Sequence, residues 1–140
     1  MPIAVALFWM GALSAYDIRH RRLPNWLTLP GFAVILLCAA VVGHGAAALL
    51  GAGALSAAYL LVHLLSPTAM GGGDVKLALG LGALTGCFGG DVWLLAALGA
   101  PLLTGATAVV AVLSRAGPSV PHGPSMCLAS AAAISLAVLP

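Results

Sequence analysis

The chain has 140 residues, of which 62% are hydrophobic and 6% charged, and its mean hydropathy is +1.15. Soluble domains carry roughly 25% charged residues, so this composition excludes an ordinary soluble domain and indicates an integral membrane protein. The net charge of +2 is too small for a nucleic-acid-binding protein, and we expect the lipid bilayer to be the partner. At this length, residues 1–140 are predicted to form a single integral-membrane domain.

Six apolar runs, separated by short polar or glycine-rich segments, predict an all-α, polytopic membrane protein with about six transmembrane helices. The runs cover residues 2–16, 26–42, 47–65, 75–88, 92–113 and 125–139. The first run lacks a basic segment before it, so we expect a retained span and not a cleaved signal peptide. Five spans remain the alternative, because the fourth run is shorter than the roughly 20 residues that cross a bilayer.

The first polar segment, at residues 17–25, reads DIRHRRLPN and holds three of the five basic residues. It follows the first apolar run directly, and we expect it to form an aqueous loop. Its Pro24-Asn25 pair predicts the start of the second helix, because proline is tolerated in a first turn and asparagine caps well.

The second polar segment, at residues 70–77, reads MGGGDVKL and places two charges beside an apolar helix. A charge at the bilayer centre costs roughly 2.5 to 3.5 kcal/mol even on a lenient scale, so an acid here needs a functional reason. The three glycines allow a close backbone approach and leave the Asp74 carboxylate uncovered, and Asp74 is predicted to open the next helix. Lys76 has two interpretations, as a membrane-edge anchor or as a residue that orients a site.

The distribution of basic residues predicts the orientation of the protein. With six helices, the loops after the first, third and fifth lie on one side and hold every Lys and Arg: Arg19, Arg21, Arg22, Lys76 and Arg115. The positive-inside rule makes this side cytoplasmic, which predicts a multi-pass protein of the inner or plasma membrane. Asp91 then lies on the outer face, where we interpret it as the N-cap of the fifth helix.

The same orientation places Asp17 and Asp74 on one membrane face. Two carboxylates can divide the acid–base work of peptide hydrolysis, since one activates water and the other protonates the scissile group. The four histidines show no HExxH spacing and the three cysteines form no CxxC pair. We therefore expect neither a metal nor another cofactor.

These segments resemble the type IV prepilin peptidases, which are GxGD aspartyl proteases of membranes. The run GGGD at residues 71–74 fits GxGD, and its continuation VKL fits the family's D-x-K-L extension. Asp17 precedes a basic loop and the sequence LPNWLT, similar to the family's LPN-x-LT helix start. The sequence VPHGP at residues 120–124 is similar to the P-x-GP turn before the family's last helix.

The resemblance implies that Asp17 and Asp74 are the catalytic pair, with Gly71, Gly73 and Lys76 supporting the active site; it does not identify substrate-binding residues. It also implies an endopeptidase that cleaves the leader from pilin-like or preflagellin-like precursors at the cytoplasmic face. Larger relatives carry an N-terminal region with paired cysteines that is linked to N-methylation, and this chain has nothing before its first span. N-methyltransferase activity is therefore not expected.

A function of a different class is the alternative. The chain could be a small proton-coupled transporter, or an assembly subunit of a pilus or secretion system without protease activity, in which Asp74 and Lys76 form a buried charge pair. Transport usually places charges near the middle of the membrane, whereas these charges lie at loop boundaries. The positions of the charges therefore favour the peptidase.

Overall fold

In the computed structural model, residues 3–68, 70–117 and 120–140 are described, and these residues form six α-helices and no strand. The helices are α1 (Ile3–His20), α2 (Asn25–Val41), α3 (Gly45–Leu65), α4 (Gly72–Gly86), α5 (Gly90–Leu113) and α6 (Gly123–Val138). The predicted all-α class is confirmed. The predicted runs agree with the helices to within a few residues at most ends, because glycine, proline and polar residues separate them.

The largest difference from the sequence prediction is at the end of α1. The helix continues through Asp17 to His20, so the prediction that residues 17–25 form a loop was wrong for its first part. No helix-breaking residue lies in this stretch, and the rings of Tyr16 and His20, one turn apart, stack with centroids 4.3 Å apart. The left-handed conformation of Arg21, with φ 54°, ends the helix. Asp17 therefore projects from a regular last turn and not from a loop.

The start of α5 also corrects a prediction. Gly89 is the N-cap residue, with φ 113° and ψ 166°, a conformation that residues with a Cβ rarely adopt. Asp91 lies in the first turn of the helix and is not its N-cap. Its carboxylate still lies near the positive end of the helix dipole, which explains an acid at this position without a role in chemistry.

The central helix is α4, which packs against α2, α3, α5 and α6. Its residues from Gly80 to Thr85 are all buried, as are Leu77 and Ala78, so the helix is covered on every side. With 15 residues it is about 22 Å long, less than the roughly 30 Å of hydrocarbon in a bilayer. Asp74, in its first turn, lies at one end of this enclosed helix.

Small residues allow α3 and α4 to approach closely. A Cβ added at Gly51 would overlap the carbonyl oxygen of Gly82, and one at Gly86 would lie 3.2 Å from the Gly51 Cα. Trp93 Nε1 on α5 donates a hydrogen bond to the Gly51 carbonyl oxygen at 3.0 Å. The glycine contacts thus hold α4 closely against α3, and the Trp93 hydrogen bond joins α5 to α3.

The first helix is held differently, because α1 packs mainly against α6. It reaches α2 and α4 through Trp9, whose indole occupies the space beside Gly31 and Gly80. Trp9 Nε1 donates a hydrogen bond to the Leu27 carbonyl oxygen at 2.9 Å. The position of Asp17 relative to α4 therefore depends on α6, on this indole and on the contact of Tyr16 with Trp26 of α2.

The outside of the bundle is apolar. Leu102 and Leu113 are 73% and 79% exposed, and α5 buries only three of its 24 residues. Continuous apolar surface of this kind seldom faces water in a soluble protein. By length and composition, α3 and α5 could each cross a bilayer, and α2 and α6 are shorter apolar helices. The exterior is therefore suited to lipid.

Candidate active site

The end of α1, the loop at residues 21–24 and the starts of α2 and α4 enclose a cavity of about 760 Å³. Charged and polar side chains line it, which sets it apart from the apolar remainder of the protein. All five residues that the sequence analysis assigned to a site line this cavity: Asp17, Gly71, Gly73, Asp74 and Lys76. Two segments that are far apart in the sequence are thus brought together.

A second cavity, of about 180 Å³, lies at the opposite end of the bundle. It is formed by the start of α1 and the ends of α4 and α6, and its lining is apolar apart from Ser135. This cavity offers neither an acid nor a base. Acid–base chemistry is therefore possible in the first cavity and not in this one.

Asp17 is held by a backbone group from the far end of the chain. The residue is 7% exposed, and its Oδ2 accepts a hydrogen bond from the Gly123 N–H at 3.0 Å. A Cβ added at Gly123 would lie 2.5 Å from that oxygen and 3.1 Å from the Asp17 Cγ. Only glycine lets the start of α6 approach this closely, and the contact fixes the orientation of the carboxylate.

Asp74 is the third residue of α4, and its side chain turns back over the helix start. The backbone N–H of Gly71 interacts favourably with its carboxylate, and the Asp74 N–H donates a hydrogen bond to the Gly71 carbonyl oxygen at 3.2 Å. Free N–H groups at a helix start favour an acid in this position. Asp17 and Asp74 line the same cavity, and their carboxylates interact electrostatically.

The three glycines of the motif meet different surroundings. An added Cβ at Gly73 would lie 3.1 Å from the Cβ of Leu23, which is a tight contact. At Gly71 it would meet only the Asp74 Oδ2, at 3.8 Å, and at Gly72 it would meet nothing within 4 Å. Of the three positions, only Gly73 requires a small residue for packing. It allows the loop before α2 to lie against the start of α4.

Lys76 connects two helix starts at the cavity. Its Nζ donates a hydrogen bond to the Asn25 Oδ1 at 2.6 Å, which joins α4 to the first residue of α2. Pro24 is the N-cap of α2, so Asn25 does not serve as the predicted cap; its side chain accepts the lysine instead. Of the two interpretations of Lys76, this geometry favours a residue that organises the cavity.

Basic residues form one side of the cavity. His20, Arg21 and Arg22 line it, and Arg21 interacts electrostatically with Asp17. From the sequence, this run was interpreted only as a signal for membrane orientation. The structure shows that it is also part of the wall around the two carboxylates.

The turn before α6 contains groups that sequence reasoning did not assign to the site. Next to Gly123, the imidazole of His122 shares hydrogen bonds with the hydroxyls of Tyr59 and Thr104. Burial lowers the pKa of His122 from its ordinary value of 6.5, which keeps the ring neutral at physiological pH. The only sequence signal for these residues was the VPHGP turn, and it did not show what the turn contacts.

A sequence model of the type IV leader peptidase family matches residues 4–89, which is more than half of the chain. Neither a curated protein nor a solved structure matches. The matched range includes Asp17, the basic residues and the glycine motif with Asp74. It ends before the turn that provides Gly123.

Proposed function

Because this chain belongs to the type IV leader peptidase family, we propose that it is an aspartic endopeptidase that uses Asp17 and Asp74 as its catalytic pair. Its exposed apolar helices and its family support a place in the membrane. The substrates are pilin-like precursors, each with a short basic leader, a glycine before the cut and an apolar helix after it. The products are the leader peptide and the mature pilin-like protein.

One observation carries this proposal: two carboxylates from segments 57 residues apart in sequence line the same polar cavity of an otherwise apolar protein. Placing acids among apolar helices is costly, so the pair needs a functional reason. Both are held by backbone N–H groups, Asp17 by Gly123 and Asp74 by Gly71. Groups fixed in this way are organised before a substrate binds.

The two carboxylates can carry out the acid–base steps of peptide hydrolysis. One carboxylate takes a proton from a water molecule as the water oxygen attacks the scissile carbonyl carbon, while the other, protonated, gives its proton to the carbonyl oxygen. The resulting tetrahedral diol collapses when the nitrogen of the leaving amine is protonated and the C–N bond breaks. One water is consumed, and the two carboxyls end with one proton between them, as at the start.

The supporting residues fix the positions of the two acids relative to each other. Gly73 permits the close contact between the start of α4 and Leu23, and Gly71 provides the N–H that holds Asp74. Lys76 ties the start of α4 to Asn25 on α2. Together these contacts fix Asp74, while Gly123 fixes Asp17 from the other side.

The membrane placement is part of the proposal. The cavity lies at the end of the bundle that carries His20, Arg21, Arg22 and Lys76, so the positive-inside rule places it at the cytoplasmic face. Since α4 is about 22 Å long, Asp74 can lie slightly below the membrane surface and still be reached by water through the cavity. A precursor whose apolar helix lies in the membrane would present its leader junction at this depth.

Replacement of the two acids tests the proposal. Asp17→Asn and Asp74→Asn should each slow precursor cleavage by roughly 10²- to 10⁴-fold, the usual contribution of a general acid or base. Cleavage is followed by the gel shift of a co-expressed precursor, chosen for its basic leader, glycine and apolar stretch. Asp91→Asn is the matched control, because Asp91 lies in the first turn of α5, outside the cavity lining. Processing at the wild-type rate by either cavity variant would rule out the pair.

A further inference from the structure

We propose that His122 is a positioning residue of the active site: held between Tyr59 and Thr104, it fixes the turn whose Gly123 N–H orients the Asp17 carboxylate. The inference rests on the proposed function, which assigns Asp17 to the catalytic pair. We call Tyr59, Thr104 and His122 the His122 clamp.

The clamp joins the turn before α6 to the two longest helices. His122 Nε2 shares a hydrogen bond of 2.9 Å with the Tyr59 hydroxyl on α3, and Nδ1 shares one of 2.5 Å with the Thr104 hydroxyl on α5. The Tyr59 and His122 rings also pack together, with centroids 5.5 Å apart. Both ring nitrogens are therefore engaged, and the imidazole is fixed from two sides.

The three side chains satisfy one another's hydrogen-bonding groups. A neutral imidazole has one N–H donor and one acceptor, and each hydroxyl can act as either. Tyr59 is 7% exposed, so its hydroxyl would be costly to leave without a partner in this apolar interior. Because each member completes the hydrogen bonds of another, the arrangement specifies one position for the turn.

The position of the turn directly determines how the Asp17 carboxylate is held. Gly123 follows His122, and its N–H donates to the Asp17 Oδ2. Helix α1 packs mainly against α6, and Tyr16, one residue before Asp17, also packs edge-on against Trp26 of α2. Among the described residues that line the cavity, none belongs to the clamp. The clamp therefore does not contact the substrate cavity; it reaches the catalytic pair through Gly123 and Asp17, and Tyr59 also interacts electrostatically with Asp74.

This role predicts a particular kinetic effect. Tyr59→Phe and Thr104→Val each remove one hydroxyl and keep the shape of the side chain, and each should lower kcat roughly 3- to 10-fold, as expected for one hydrogen bond. KM should stay unchanged, because the clamp does not touch the substrate cavity. Thr107→Val is the matched control, since the Thr107 hydroxyl on α5 is exposed and donates only to carbonyls of its own helix.

A second measurement follows proton exchange at the Gly123 amide and does not depend on enzyme activity. The sequence contains two His-Gly pairs, His44-Gly45 and His122-Gly123. Protein labelled with [1-¹³C]histidine and [¹⁵N]glycine therefore gives only two carbonyl-coupled amide signals by NMR. Exchange of the Gly123 amide proton should be roughly 3- to 10-fold faster in Thr104→Val and faster again in the double variant with Tyr59→Phe. The Gly45 signal is the internal reference and should not change.

The outcomes separate the inference from the proposed function. A fall in kcat together with faster exchange at Gly123 supports the clamp. Unchanged Gly123 exchange in the double variant overturns it, whatever the activity, and so does a rise in KM without a fall in kcat. If the wild-type protein cleaves no pilin-like precursor, the proposed function fails, and the exchange measurement alone decides whether His122 positions Gly123 against Asp17.

Discussion

Gly123→Ala is the substitution that most directly tests how Asp17 is held. The added Cβ would lie 2.5 Å from the Asp17 Oδ2, whereas ordinary van der Waals contact begins at 3.4 Å. The carboxylate or the start of α6 must therefore move by about 0.9 Å. Either movement lengthens the hydrogen bond of 3.0 Å between the Gly123 N–H and Asp17.

The size of this movement sets the expected effect. A displacement of about 1 Å in a catalytic group can cost roughly 10²-fold in rate, because reacting atoms must meet in a narrow range of geometry. We expect kcat for precursor cleavage to fall by about this factor in Gly123→Ala. KM should change little, since Gly123 does not line the cavity that would receive the substrate.

The assay compares cleavage rates of a purified precursor by wild-type and variant enzyme in detergent, at a temperature well below the unfolding midpoint of each. Gly72→Ala is the matched control, because Gly72 lies two residues before Asp74 but an added Cβ there meets nothing within 4 Å. Gly73→Ala should fall between the two, since its Cβ would lie 3.1 Å from the Leu23 Cβ. Wild-type kcat in a folded Gly123→Ala protein, or equal losses in all three variants, would refute the reasoning.

Three further predictions concern the Lys76–Asn25 hydrogen bond, the orientation of the protein in the membrane and the protonation of His122. Lys76→Ala and Asn25→Ala should each lower kcat only a few-fold and should not be additive, because they remove the two ends of one hydrogen bond; additive losses would show separate roles. In a background without the native cysteines, a cysteine at Gly72 should be shielded from an impermeant thiol reagent in intact cells and one at Gly90 labelled, and the reverse pattern would contradict the orientation. Because burial lowers the pKa of His122, the unfolded chain binds a proton there more readily, so this residue destabilises the fold as the pH drops below 6.5. The unfolding midpoint of the wild type should therefore fall relative to that of His122→Gln in this range, and parallel curves would contradict it.

The sequence by itself determined the helical class and most helix positions. Apolar runs long enough to form membrane helices alternate with glycine, proline and charged residues, and both signals are local. The glycine motif likewise predicted that Asp74 would lie at a helix start, because three glycines precede an apolar run. The same local signals failed at the end of α1, where charged residues suggested a loop although nothing in residues 17–20 breaks a helix.

The tertiary structure decided which groups surround the two acids. The hydrogen bond from Gly123 to Asp17 joins residues 106 positions apart, and the bond from Lys76 to Asn25 spans 51. No periodicity or composition encodes such pairs, because they depend on how α1, α2, α4 and α6 pack together. The sequence thus identified the two carboxylates. Only the packing of the helices shows that a backbone N–H from the start of α6 holds one of them. It also shows that His122, which is hydrogen-bonded to Tyr59 and Thr104, lies directly beside that donor.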